Sequence, residues 1–93
     1  MTELLTDRDI EDAQLTEWTV AGKSLTRTVE LTSFPAAIEV VNRVADAAEE
    51  ADHHPDIDIR WRTLTFTLST HSAGGLTQKD VDLARRIDAL TAN

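Results

Sequence analysis

The sequence predicts an α+β fold: a four-stranded antiparallel sheet with helices packed on one face. Three observations predict it. Apolar residues switch between the two-residue period of strands and the three-to-four step of helices, giving the order helix, two strands, long helix, two strands, helix. Each pair of strands is separated by a few turn-forming residues, as in hairpins. And 93 residues cannot supply a helix layer for both faces of four short strands, so cover on one side is the economical arrangement.

The elements follow in order. In "LTDRDIEDAQL", Thr6 can cap a short helix, and Asp9, three residues on, is the acid of a capping box. "WTVAGKSLTRTVEL" reads as a hairpin about Ala21-Gly22-Lys23, with Trp18, Val20, Leu25, Val29 and Leu31 among its strand side chains. Ser33 then caps a long helix from about Phe34 to about Ala51, with Pro35 in the first turn, where a missing N–H costs little. Ala37, Val41, Val44 and Ala48 form its apolar stripe, widened by Phe34, Ile38 and Ala45. Pro55 ends the helical pattern by disfavouring helical geometry at His54. Ile57, Ile59 and Trp61 alternate, then Leu64, Phe66 and Leu68 with the opposite parity. Two strands with a tight turn near Arg62-Thr63 explain the shift; a bulged single strand is the rival. "HSAGGLT" is a loop. Thr77 caps the last helix, with Asp80 in a second capping-box position and Val81, Ala84, Ile87 and Leu90 on its buried face.

Length and the lack of a Pro/Gly/Ser-rich linker suit one domain over residues 1–93. Its small core would gain from self-association. Net charge is −8, with 17 acids against 9 bases, which disfavours contact with nucleic acid or an anionic membrane. The chain has no cysteine, so thiolate chemistry, disulfides and Cys-zinc sites are excluded. No secretory leader or membrane-length apolar run is visible, and a cytoplasmic protein is the expectation.

The chemistry concentrates in "EEADHHPDIDIRW". His53 and His54 adjoin at the end of the long helix, and the third histidine, His71, follows the last strand. If that strand end lies beside the helix end, the three imidazoles line one cleft, and imidazole is the group best suited to proton transfer near neutral pH. Glu49 lies one helical turn before His53, where a carboxylate favours imidazolium, and the helix dipole acts in the same sense. Two other readings stand beside this one. The histidines can be exposed loop residues with an ordinary Glu–His pair, or three histidines and a carboxylate can ligate zinc. Against zinc, neighbouring side chains diverge and no H-x-x-x-H pair exists.

Read whole, the spacing is Glu49, three residues, His53-His54-Pro55, five residues, Trp61, nine residues, His71, eight residues, Asp80. This pattern, with "VADAAEEADHHPD" before it and "LTFTLSTHSAGGLTQKDVDLARRID" after it, resembles the pterin-4a-carbinolamine dehydratase family from Phe34 to Ile87, and more loosely back to Trp18. The resemblance implies the same α+β fold and a hydro-lyase reaction: loss of water from 4a-hydroxytetrahydropterin to give quinonoid dihydropterin, in tetrahydrobiopterin recycling, with no cofactor and no metal. It implies that His53 and His71 act as acids on opposite faces of the substrate and that His54 mainly binds the pterin. Glu49 would set the charge of His53. Asp52, Ser69 and Thr70 would hold the pterin's polar edge, Pro55 shape the loop, Trp61 wall or buttress the cleft, and Asp80 brace the loop of His71. A homodimer or homotetramer is implied as well. Val29, Leu31 and Ser33 depart from the family's usual Phe, Phe and Asp, at packing and capping positions. The alternative is a non-catalytic pterin- or protein-binding module of this fold, supporting a partner protein or molybdopterin metabolism.

Overall fold

A computed structural model describes residues 3–91. Its elements are α1 (Asp7–Asp12), β1 (Thr19–Ala21), β2 (Ser24–Glu30), α2 (Phe34–Ala51), β3 (Asp56–Arg60), β4 (Thr63–Leu68), a 3-10 turn (His71–Ala73) and α3 (Gln78–Thr91). The four strands form one antiparallel sheet in the order β1-β2-β4-β3. The expected fold class and element order are therefore both observed.

Register explains which face is dry. Leu25 pairs with Leu68, Val29 with Leu64, Ile57 with Phe66 and Ile59 with Leu64, so these side chains share one face. Leu25, Leu64, Phe66 and Leu68 are fully buried there, under a layer that includes Ala37, Val40, Val44, Val81, Leu83, Ala84 and Ile87. Each large apolar side chain so buried contributes about 1.5–3 kcal/mol. The other face carries Thr26 against Thr67 and Thr28 against Thr65, with the last two hydroxyls 3.0 Å apart. Hydroxyls can face water without penalty, so this side needs no cover.

Helix α2 begins and ends where the sequence places it. The Ser33 hydroxyl accepts from the Ala36 N–H, and Pro35 sits in the first turn. Its buried stripe is rotated, however: Val40 and Ala47 are buried with Ala37, Val44 and Ala48, while Val41 is half-buried and Phe34 and Ala45 are exposed. The cause is α3, which packs on the flank carrying Ala47, whose carbonyl Arg86 reaches at 3.4 Å. Covered by both sheet and helix, α2 buries a wider and displaced face. The β3–β4 turn is also one residue earlier than expected. Arg60 pairs with Thr63, leaving Trp61 and Arg62 as the turn, with Trp61 in left-handed geometry at φ 55°. In the first hairpin Ala21 still pairs with Ser24, and Gly22, at φ 61°, takes the conformation that favours glycine.

Candidate active site

The C-terminus of α2 decides where the histidines go. The helix stops at Ala51, and Asp52 turns left-handed at φ 50°, ψ 43°. The Asp52 N–H then donates to the Glu49 carbonyl at 3.3 Å, and the His53 N–H to the Ala48 carbonyl at 3.1 Å. This is a Schellman closure, with Asp in the place where glycine is commonest. The reversal takes His53 off the helical track. It turns inward and is buried, while His54 turns out and is exposed.

The partners are accordingly not those expected from helical spacing. Glu49 does not meet His53. Its carboxylate lies 2.5 Å from His54 Nε2, across an exposed pair. His53 Nε2 instead lies 2.6 Å from Asp80 Oδ1, and the Asp80 side chain is fully buried. The i, i+4 rule assumes that the helix continues through both residues, and here it has ended by the second.

Asp80 is the hub. It lies three residues after Thr77, where a capping-box acid belongs, and Oδ2 accepts the Thr77 N–H at 2.9 Å. The reciprocal half of that box is missing: the Thr77 hydroxyl is engaged with the Thr70 hydroxyl at 2.7 Å. The Thr70 hydroxyl in turn donates to Asp80 Oδ2 at 2.7 Å. One buried carboxylate thus ties His53 to the residue immediately before His71. Sequence reading gives Asp80 a bracing role but misses its contact with His53. The available signal is its position: Asp80, Ala84, Ile87 and Thr91 step by 4, 3 and 4, and all four are buried, so an acid heads a core-facing stripe.

The remaining candidates divide. Thr70 has no polar group left for a ligand. Its N–H donates to the Gly75 carbonyl, its carbonyl accepts from Ala73 and Gly74, its hydroxyl serves Asp80, and its exposure is 3%. The Ser69 hydroxyl donates to the Lys23 carbonyl at 2.9 Å, tying the first hairpin's turn to the segment before His71. His71 is exposed at the head of the 3-10 turn, and Pro55 is half-buried between His54 and β3. Trp61 stands apart. His54 precedes β3 and Ser69 follows β4, whereas Trp61 caps the opposite end of that hairpin, roughly 17 Å away at strand rise. It is 69% exposed, with Arg62 stacked 4.6 Å from its ring centre. Within one copy of the chain it does not wall the histidine site.

Among the described residues, no three His, Cys, Asp or Glu side chains are grouped to hold a metal ion. A surface hollow of about 470 Å³ between α1 and the first hairpin is lined by Ile10, Leu15, Trp18, Val20 and Leu25 among others, and by none of the candidate residues. It offers apolar walls, while the buried histidine–carboxylate pair and its hydroxyls offer proton chemistry.

Comparison with known proteins identifies the family and the fold. The family model for pterin 4 alpha carbinolamine dehydratase matches residues 3–90. A Nocardia farcinica protein provisionally named pterin-4-alpha-carbinolamine dehydratase is 66% identical over 91 residues, covering 96% of each chain. One of the same provisional name from Roseiflexus castenholzii is 55% identical over 92 residues, covering 97% of this chain and 99% of its own. A crystal structure of a transcriptional coactivator/pterin dehydratase from Brucella melitensis superposes with TM-score 0.90 at 30% identity, over 97% of this chain and 100% of that one. A pterin dehydratase-like RuBisCO assembly factor of the alpha-carboxysome shares the fold, with TM-score 0.71 at 24% identity, over 83% of this chain and 92% of that one. With the family model spanning nearly the whole chain, and relatives this similar over their full length, the chain belongs to the pterin-4a-carbinolamine dehydratase family.

Proposed function

We propose that this chain is a hydro-lyase that removes water from 4a-hydroxytetrahydropterin, giving quinonoid dihydropterin for tetrahydrobiopterin recycling. The observation that carries the reading is the tie through Asp80, which holds buried His53 beside the segment that presents His71. The reaction asks little of a protein. The N5 lone pair forms a double bond to C4a as the C4a–OH bond breaks, and an imidazolium protonates the departing hydroxyl, which leaves as water. The ring system then loses a proton to a neutral imidazole or to solvent. General acid–base catalysis, worth about 10²–10⁴-fold, meets that demand without a metal or cofactor.

In this reading His53 and His71 are the acids, one for each face of the ring. His54, held by Glu49, contacts the pterin. Asp52, Ser69 and Pro55 shape the rim, and Thr70 acts from beneath through Asp80. The chain works as a homodimer or homotetramer: β1 and β3 are open edges, and Phe34, Ile59 and Trp61 are large apolar side chains left exposed. A place for Trp61 at the substrate then requires a second copy. The test is stopped-flow dehydration of enzymatically generated carbinolamine. Acceleration that survives EDTA is expected, and no acceleration would favour a non-catalytic binding module of the same fold. Light scattering at micromolar concentration is expected to give a species larger than the monomer.

A further inference from the structure

The Asp80 network has a direction that its hydrogen count fixes. An ionised carboxylate only accepts, and a threonine hydroxyl has one proton. Thr70 donates that proton to Asp80 Oδ2. The 2.7 Å contact between the hydroxyls of Thr70 and Thr77 is therefore donated by Thr77. The chain of donation runs from Thr77 to Thr70 to Asp80, and His53 Nε2 lies 2.6 Å from Oδ1 on the other side, where an acceptor-only oxygen calls for a donated N–H. The Thr77 N–H gives Oδ2 a second donor, so the two carboxylate oxygens have different duties. The neighbouring charges are engaged elsewhere: Glu49 with His54, and Glu50 with Arg86 at 2.9 Å. Asp52 caps α2, and Asp80 is the carboxylate that meets the His53 ring.

We propose that Asp80, oriented by Thr70 and Thr77, locks His53 in the Nε2–H tautomer, so that Nδ1 is the nitrogen offered to the substrate. Asp80, Thr70 and Thr77 are then positioning residues that act through His53. The inference deepens the dehydratase reading and rests on it only for the identity of the ligand at Nδ1. A consequence follows for Asp80→Asn, which keeps the shape. Two donors, Thr70 Oγ1 and Thr77 N–H, point at the Oδ2 position, so the amide oxygen settles there. The amide NH₂ then faces His53 Nε2, which must accept, and the ring proton moves to Nδ1. Thr77→Val removes the donor that polarises the Thr70 hydroxyl, and Thr77→Ser restores it.

The experiment is long-range ¹H–¹⁵N NMR of the three histidines in the full chain without ligand, at a pH where the rings are neutral. Wild type is expected to show His53 in the Nε2–H form alone and Asp80→Asn to reverse it. Thr77→Val, which keeps the carboxylate, is expected to keep the Nε2–H form but shift its Nε2 signal, and Thr77→Ser to return that signal to the wild-type position. The Nδ1–H form in wild type, or no reversal in a folded Asp80→Asn protein, overturns the lock. If Asp80→Asn does not fold, the Thr77 pair decides, and identical His53 spectra for Val and Ser overturn the role of Thr77. Adding 7,8-dihydropterin is then expected to shift the Nδ1 signal of His53 more than Nε2. The reverse overturns the assignment of the working nitrogen. Failure of the dehydration assay leaves the ligand-free spectra, and hence the lock, independently readable.

Discussion

The chain uses the same short motif twice, at the starts of α1 and α3. Thr6 and Asp9 form a complete capping box: the Thr6 hydroxyl accepts the Asp9 N–H at 3.1 Å, and Asp9 Oδ2 accepts the Thr6 N–H at 2.8 Å. Both bonds lie in solvent and do nothing beyond starting a six-residue helix. Thr77 and Asp80 have the same spacing, yet only the Asp80-to-backbone half is kept. The Thr77 hydroxyl and the second Asp80 oxygen are turned to Thr70 and His53, and both residues are fully buried. Burial makes the difference. A polar group in water can take any partner, whereas a buried one needs a protein partner for each lone pair and proton. The second motif therefore became part of a fixed network, and the network includes a histidine.

The comparison breaks most sharply if one member of each motif is removed in turn. Asp80→Ala leaves His53, Thr70 and the Thr77 N–H without their acceptor in a buried site, and a loss of about 3–5 kcal/mol in urea unfolding is expected. Thr6→Ala at the exposed motif is expected to cost about 1 kcal/mol. Similar losses at both sites would mean that Asp80 is a cap and little else.

Next in size are His53 and His71, the two acids of the proposed reaction. His53→Ala and His71→Ala are each expected to abolish dehydration of one substrate stereoisomer and spare the other, with the double variant losing about 10²–10⁴-fold on the mixture. Equal losses on both isomers from either variant would contradict the two-face scheme. Glu49→Gln belongs lower on the scale, because its pair with His54 is more than half exposed on both sides and such pairs contribute at most about 1 kcal/mol. Its NMR signature is expected at His54, with the His53 signals unmoved. A change at His53 would restore the pairing that helical spacing suggests.

The smallest effect concerns acid. The Thr6 backbone N–H, and then its side chain, hold the Asp9 carboxyl below its usual 3.8. A lowered folded-state value means that the box contributes fully above pH 3.8 and is lost as pH falls through the lower, folded value. Chemical shifts of the α1 amides are therefore expected to stay constant down to about pH 4 and to change below it. Fraying of α1 between pH 5 and 4 would count against the box.

Most of the architecture was legible because it rests on local chemistry. Ser33 and Pro35 start α2, Pro55 keeps it from continuing, and the change of parity between Trp61 and Leu64 marks a hairpin. What was not legible depends on long-range packing. The flank of α2 bearing Val40 and Ala47 is buried because α3 arrives there, which no period within α2 can announce. The candidate site divides the same way. Its residues could be singled out by type and spacing, but their partners could not. The left-handed turn at Asp52 exchanges the expected positions of His53 and His54, and an aspartate has no strong preference for that geometry from which to foresee it. Asp80 reaches His53 across 27 residues, and only its place on a buried stripe hinted at it.

The central claim is that the second motif serves the histidines and the first serves only its helix. The most direct measurement is the stopped-flow dehydration rate of Asp80→Asn beside Asp9→Asn, both confirmed folded by circular dichroism. Because the amide NH₂ in Asp80→Asn faces Nε2 and disfavours the doubly protonated ring that donates to the leaving hydroxyl, this variant is expected to lose kcat by about 10²-fold or more with little change in KM, while Asp9→Asn stays at the wild-type rate. A folded Asp80→Asn protein with wild-type kcat would contradict the account.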